Sequence, residues 1–172
     1  VAVCALMVAL ARQIGLDEAQ TRIAGMAGLL HDLGKAAIPL QVLNKPGRST
    51  DEEFELVKSH SRKGWELLQQ AETPVDAAVL DACLHHHERV DGTGYPDQLP
   101  PAQLSTLARM AAICDVYDAL ASKRVYKDAI HPKHALGTLF KMSENAWAPG
   151  FAEHFIKMVG IFPIGTAVLL SN

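Results

Sequence analysis

The residues that could do chemistry in this chain are histidines and acids gathered into short groups. His31-Asp32 closes one apolar stretch, His60 stands in the next helical one, His85-His86-His87 closes a third, and Asp115 follows in a fourth. Imidazole nitrogen with carboxylate oxygen suits Zn, Fe, Mn, Ni or Co, and no Cys-x-x-Cys pair is present to build a structural zinc site. A metal pair about 3.5 to 4 Å apart needs a bridging carboxylate plus several neutral nitrogens, and can bring the pKa of a bound water to about 7. Hydrolysis by a hydroxide so formed is the leading expectation. Asp32 is the natural bridge, with His31 and Asp115 beside it and His60, His86 and His87 closing the second ion.

Singly, these residues say little. A lone His on a helix is more often a core or surface residue than a ligand, which is the reading taken for His131, His134 and His154. A run of three His in a chain holding eight, set in an apolar segment and followed by an acid and a Gly-rich turn, is much harder to dismiss. Neighbours on a regular helix diverge by about 100°, so three consecutive His cannot all face one ion. Two can where the helix is ending, and the third then supports from behind. Lys35, one short turn past the doublet, can neutralise a phosphate oxygen or assist a leaving oxygen, although by itself it reads more readily as a solvated surface lysine. Arg124 and Lys127, with Tyr126 between them, can bind phosphate and stack on a base, but basic residues after a helix end commonly only complement its dipole.

Helices must position these groups. Asp17 with Gln20 forms a capping box, and Ile23, Met26, Ala27 and Leu30 carry an apolar stripe up to His31-Asp32, where Gly34 is expected to stop the helix. Pro39, Lys45-Pro46-Gly47 and Ser49 make a loop with room only for a short turn at Leu40 to Leu43. Thr50 with Glu53 is a second capping box, opening an amphipathic helix through Phe54, Val57, Trp65 and Leu68 that carries His60. Thr73-Pro74 predicts a helix with Pro at its first position, running through Val75, Val79 and Cys83 to the His run. Asp91-Gly92-Thr93-Gly94-Tyr95-Pro96 demands turns. A long helix spans about Ser105 to Ala121, packed through Leu107, Met110, Ala111, Cys114 and Tyr117. His131-Pro132 and Ala148-Pro149 each introduce a shorter helix, the second stopping at Gly160, and Thr166 to Leu170 reads as a strand. The expectation is an all-α bundle of about seven helices with a short C-terminal strand.

The chain as a whole sets bounds on this reading. Its 172 residues fit one domain, and 49% apolar with 20% charged residues is ordinary for a folded protein. A formal net charge of −3 supplies no global field for duplex nucleic acid, so an anionic substrate must be held by local charges and metal. Cys4, Cys83 and Cys114 are odd in number, widely spaced and set in apolar runs, which reads as reduced core thiols in the cytoplasm. The apolar opening from Val1 to Ala11 falls well short of the ~20 residues of a bilayer crossing, and lacks the basic start and cleavage site of a signal peptide. It reads as a buried helix, and beginning without a Met or a cap it looks cut from a longer chain.

Assembled in order, the strings His31-Asp32-Leu33-Gly34-Lys35, Leu43-Asn44-Lys45-Pro46-Gly47, His60-Ser61-Arg62-Lys63-Gly64, His86-His87-Glu88-Arg89-Val90-Asp91-Gly92-Thr93-Gly94-Tyr95-Pro96 and Asp115-Val116-Tyr117-Asp118-Ala119-Leu120 resemble the HD-GYP family. They span about half the chain, and the string from His86 to Pro96 is highly specific. That family is a branch of the HD-superfamily metal-dependent phosphohydrolases that cleaves the bacterial second messenger cyclic di-GMP, through linear pGpG, to GMP. The resemblance implies two divalent ions, or three, held by His31, Asp32, His60, His86, His87 and Asp115 with Asp32 bridging. It also implies Lys35 as the phosphate-side lysine, Tyr95 as part of the dinucleotide pocket, and Arg124 and Lys127 as a grip on substrate phosphates or guanine. Within it, residues 1–160 are the catalytic domain, residues 161–172 the start of a truncated strand extension, and a further His ligand is expected before the position of Val1. Two alternatives remain beside cyclic di-GMP hydrolysis: another substrate, such as cyclic GMP-AMP or a nucleotide phosphate, or a binding module whose Gly-Tyr-Pro loop contacts a diguanylate cyclase or an adaptor.

Overall fold

The computed structural model describes residues 1–122, 130–147 and 150–160. Among these residues there are nine α-helical segments and no strand: α1 (Ala2–Gln13), α2 (Glu18–Leu30), α3 (Leu40–Leu43), α4 (Asp51–Lys58), α5 (His60–Gln69), α6 (Ala77–His85), α7 (Thr106–Ala121), α8 (Pro132–Ala146) and α9 (Phe151–Val159). Two 3-10 turns, Leu33–Ala37 and Pro101–Gln103, interrupt the connections. The expected strand over Thr166 to Leu170 and the Ala148-Pro149 start lie outside the described residues. No described helix is long and apolar enough to cross a membrane.

The excess over seven helices has two sources. Leu40–Leu43 closes one full α-turn, and the helix opened by Thr50 divides at Ser59. There the Ser59 hydroxyl donates to the Leu56 carbonyl at 2.6 Å, and its backbone N–H is shared between the carbonyls of Glu55 and Leu56, tightening the turn. The break redirects the chain so that His60 starts a new helix pointing inward. Both capping boxes form as expected, at Asp17/Gln20 and Thr50/Glu53.

Helix α7 is the centre of the bundle, capped by the Ser105 side chain on the Ala108 N–H. Met110, Ala111, Ile113 and Cys114 are sealed from solvent, and α1, α6 and α8 pack around them. Burying a side chain the size of Met110 or Ile113 stabilises the fold by about 1.5–3 kcal/mol. Leu107 and Tyr117 sit at the margin of this core, partly buried. The opening helix is buried as expected through Val3, Met7, Leu10 and Ala11.

Three local expectations need correction. The most buried residues of α2 are Thr21, Ala24, Gly25, Ala27 and Gly28; of the expected stripe Ala27 is buried and Ile23 and Leu30 pack at the core's margin, but Met26 is nearly half exposed. Small residues win because α1 approaches closely: a Cβ on Gly28 would meet Met7 Cγ at 2.8 Å and Cys4 Cα at 2.9 Å. Pro74 is not the first residue of α6, which starts at Ala77 because the Asp76 carboxylate accepts the Ala78 N–H and caps it there. Gly34 does not terminate α2, which ends at Leu30; it lies inside the following 3-10 turn, where a Cβ would overlap the His60 carbonyl and the Gly64 N–H. Its role is to let that turn press against α5, carrying the His31-Asp32 doublet up to His60.

Candidate metal centre

Four elements deliver the acidic and imidazole groups to one point. His31 and Asp32 follow the end of α2, His60 opens α5, His86 and His87 follow the end of α6, and Asp115 comes from the middle of α7. His86 has φ −64° and ψ −10°, so the helix is loosening where the two consecutive rings must converge. His85 turns away, to Asp81 Oδ1 at 2.8 Å and Asp97 Oδ2 at 3.2 Å. The expectation that two of three histidines face inward therefore describes what is seen.

The ring orientations follow from short local bonds. His31 Nδ1 lies 2.9 Å from the Gly28 carbonyl, His60 Nδ1 2.6 Å from that of Val57, and His86 Nδ1 2.8 Å from that of Cys83. A carbonyl only accepts, so each Nδ1 carries a proton and each Nε2 is turned to the interior, free to present its lone pair to a metal. These nitrogens collect around Asp32. His60 Nε2 and His86 Nε2 stand 3.3 and 3.8 Å from Asp32 Oδ1, and His31 Nε2 stands 3.3 Å from Oδ2 and 3.7 Å from Asp115 Oδ1.

Two donor groups result, and they share one residue. Asp32, His60, His86 and His87 offer ligand atoms within 4.8 Å of one another, as do His31, Asp32 and Asp115. His60 Nε2 and His86 Nε2 face each other at 3.3 Å with both lone pairs inward, an arrangement that is repulsive unless a cation sits between them. His31 Nε2 and Asp32 Oδ1 are buried without a hydrogen-bond partner. Buried polar atoms without partners, in a set of nitrogen and carboxylate ligands only, fit a divalent metal pair.

Electrostatics separate the group into protonated and neutral members. Burial opposes charge on Asp32, but His31, His60 and Lys35 hold its carboxyl far below the usual range. Burial likewise opposes charge on Asp115, yet His31 and His87 bring it down to about 2. Burial also works against a charged His31, but the Asp115 and Asp32 carboxylates outweigh it and raise its pKa to about 9. Burial keeps His86 neutral well below its ordinary range and lowers His87 to about 4. Without metal, the site therefore compensates its carboxylates with a second proton on His31, at Nε2, the atom a metal would take.

The centre opens onto a cleft of about 600 Å³, within the ordinary range for a small-molecule site. Tyr95 stacks on His87 with ring centroids 4.7 Å apart, and Lys35 Nζ pairs with Asp32 Oδ2 at 2.5 Å rather than standing free in solvent. Arg124 and Lys127 lie outside the described residues.

A family model for the HD domain matches residues 2–148. The chain belongs to the HD domain family. Among its relatives, a cyclic di-GMP phosphodiesterase of Pseudomonas aeruginosa is 50% identical over 172 residues, all of this chain and 41% of that protein. A cyclic di-GMP phosphodiesterase response regulator of Xanthomonas campestris pv. campestris is 43% identical over 147 residues, 86% of this chain and 39% of that one. A solved HDG"Y"P protein from Bdellovibrio bacteriovorus superposes with a TM-score of 0.74 at 25% identity, over 92% of this chain and 50% of its own. The HD domain here thus spans about two fifths of the length of these two curated relatives.

Residues that sequence reasoning overlooked hold the HD domain's cleft in shape. Glu88 is buried, and its carboxylate accepts the backbone N–H groups of Asp97, Gln98 and Leu99, at 2.6, 2.9 and 3.2 Å. Its signal was available: a turn with two Gly and a Pro leaves N–H groups that need an acceptor, and Glu88 is the nearest acid before it. Gly94 lets the loop fold back, since a Cβ would come within 2.5 Å of Glu88 Cα. Cys83 supports the doublet from behind, its thiol donating to the His31 carbonyl at 3.5 Å, and burial pushes that thiol up to about 12.

Proposed function

We propose that this chain is a metal-dependent phosphodiesterase unit, residues 1–160, that hydrolyses cyclic di-GMP through pGpG to GMP. The observation that carries the reading is Asp32, whose two carboxylate oxygens face separate sets of inward imidazole nitrogens beside an open cleft that His86 and His87 line. His60, His86 and His87 with Asp32 would hold one divalent ion, and His31 and Asp115 with Asp32 the other. When bound, such a pair supplies a water made acidic enough to attack at neutral pH and positive charge to offset the phosphoryl oxygens. Fe, Mn, Ni and Zn all suit these nitrogen and carboxylate donors, and affinity order alone does not select among them.

The chain's own groups do the rest. Asp32 and Asp115 stay ionised throughout the neutral range, and His86 and His87 stay neutral, so these groups need no change of protonation state to act as donors. Lys35, anchored on Asp32, meets a non-bridging phosphate oxygen as negative charge develops in the transition state. Tyr95, backed by His87, forms the wall against which the dinucleotide lies. Glu88 anchors the Asp97–Leu99 stretch that follows the Gly94–Pro96 loop, Gly94 packs on the Glu88 backbone, and the loop lines the cleft, which favours a place in the substrate pocket over a docking role towards a cyclase or adaptor.

Anaerobically purified protein loaded with Mn or Fe(II) is expected to convert cyclic di-GMP to pGpG and then GMP by chromatography. Full metal occupancy without turnover of cyclic di-GMP would overturn the reading, and faster turnover of 3′3′-cyclic GMP-AMP would reassign the substrate.

A further inference from the structure

Helix α4 buries none of its eight residues, yet it forms one wall of the cleft that the metal centre opens onto. Its cleft-facing groups are Phe54, Glu55 and Lys58. Phe54 is 51% exposed, a large aromatic with no protein surface over half its area. The Lys58 ammonium lies 5.2 Å from the Phe54 ring centre and 5.8 Å from that of Tyr95, and it pairs with Glu55 Oε1 at 2.5 Å. Tyr95 in turn stacks on His87. A continuous path of aromatic and charged groups therefore leads from the metal ligands out to α4.

We propose that Phe54, Glu55 and Lys58 form the subsite that recognises a guanine base of the substrate. This rests on the cyclic dinucleotide reading above and assigns its base selectivity. A Lys beside a Glu presents a donor next to an acceptor, the complement of guanine, whose O6 accepts beside an N1–H that donates. The Glu55 carboxylate takes N1–H and the 2-amino group together, Lys58 takes O6, and the open side of Phe54 stacks on the base. Adenine offers the pair one amino donor and one ring acceptor, so it forms one hydrogen bond fewer and leaves a carboxylate oxygen unmatched. An unpaired charged acceptor at a recognition site is what makes such discrimination strong.

The test compares wild type with Glu55→Gln, Glu55→Ala, Phe54→Leu and Lys58→Met, each metal-loaded, on cyclic di-GMP, cyclic di-AMP and the base-free diester bis(p-nitrophenyl) phosphate. For Glu55→Gln and Glu55→Ala, the kcat/KM ratio of cyclic di-GMP to cyclic di-AMP, which has no guanine to place in the subsite, should fall about tenfold. For Phe54→Leu and Lys58→Met, the ratio of cyclic di-GMP to the base-free diester should fall by a similar factor, mainly through KM. Ratios within twofold of wild type in all four variants overturn the subsite while leaving phosphodiesterase activity standing. Wild-type turnover of the base-free diester with neither cyclic dinucleotide cleaved overturns the functional reading and the subsite with it.

Discussion

Asp32 is the one residue common to both donor groups, so its loss should be felt by two ions together. Asp32→Ala is expected to abolish stoichiometric metal in elemental analysis and to lower kcat at least about 100-fold, beyond what loss of a supporting residue costs. Retention of two metals per chain in that variant would contradict the bridging assignment. His31 gives a pH dependence. Its pKa in the metal-free protein is raised to about 9, so between pH 6 and 9 metal must displace a proton from it. Metal affinity should therefore rise with pH across this window and level off above it, with proton release seen when calorimetry is repeated in buffers of different ionisation heat. An affinity flat from pH 6 to 9 would show that His31 is not displaced. At this scale the sequence was highly legible, because histidine and aspartate at helix ends have few other reasons to cluster. Lys58 was not, since a single lysine on a polar face looks the same whether or not a ring lies opposite it.

Between elements, the site depends on close contacts that only glycine and one buried carboxylate allow. Gly34→Ala should force the 3-10 turn away from α5, with destabilisation of about 1–3 kcal/mol from overpacking and weakened metal binding in the same protein. A variant of unchanged melting temperature would mean the turn relaxes freely. Glu88→Ala removes the acceptor of three backbone N–H groups, costing about 1–3 kcal/mol for each one left buried and unpaired. It should raise KM more than it lowers kcat, because the segment that follows Tyr95 loses its anchor while Asp32 and its partners stay in place. Helix starts marked by capping boxes at Asp17 and Thr50 were readable from spacing alone. The break at Ser59 and the small-residue face of α2 were not, as each answers to a neighbouring helix rather than to local propensity.

Across the molecule, folding brings together acceptors that repel one another. His60 Nε2 and His86 Nε2 face each other at 3.3 Å, so a bound cation relieves a cost built into the native state. At a thousandfold excess over Kd, metal should stabilise the chain by roughly 4 kcal/mol, which for a domain of this size is a rise in Tm of about 10 °C. Calorimetric scans with and without chelator check this, and coincident transitions would show that the centre does not hold metal in the folded state. The all-helical class and the convergence of helix ends were evident from periodicity and turn residues, whereas the cleft needed the tertiary arrangement of α4 against the Gly94–Pro96 loop. The bonds from Nδ1 of His31, His60 and His86 to carbonyls three residues earlier are confined to a single turn each. Ring orientation is therefore set as soon as each turn forms and does not wait for an ion, so metal uptake should be a fast, single-exponential capture whose rate scales with ion concentration, without a slow rearrangement following it.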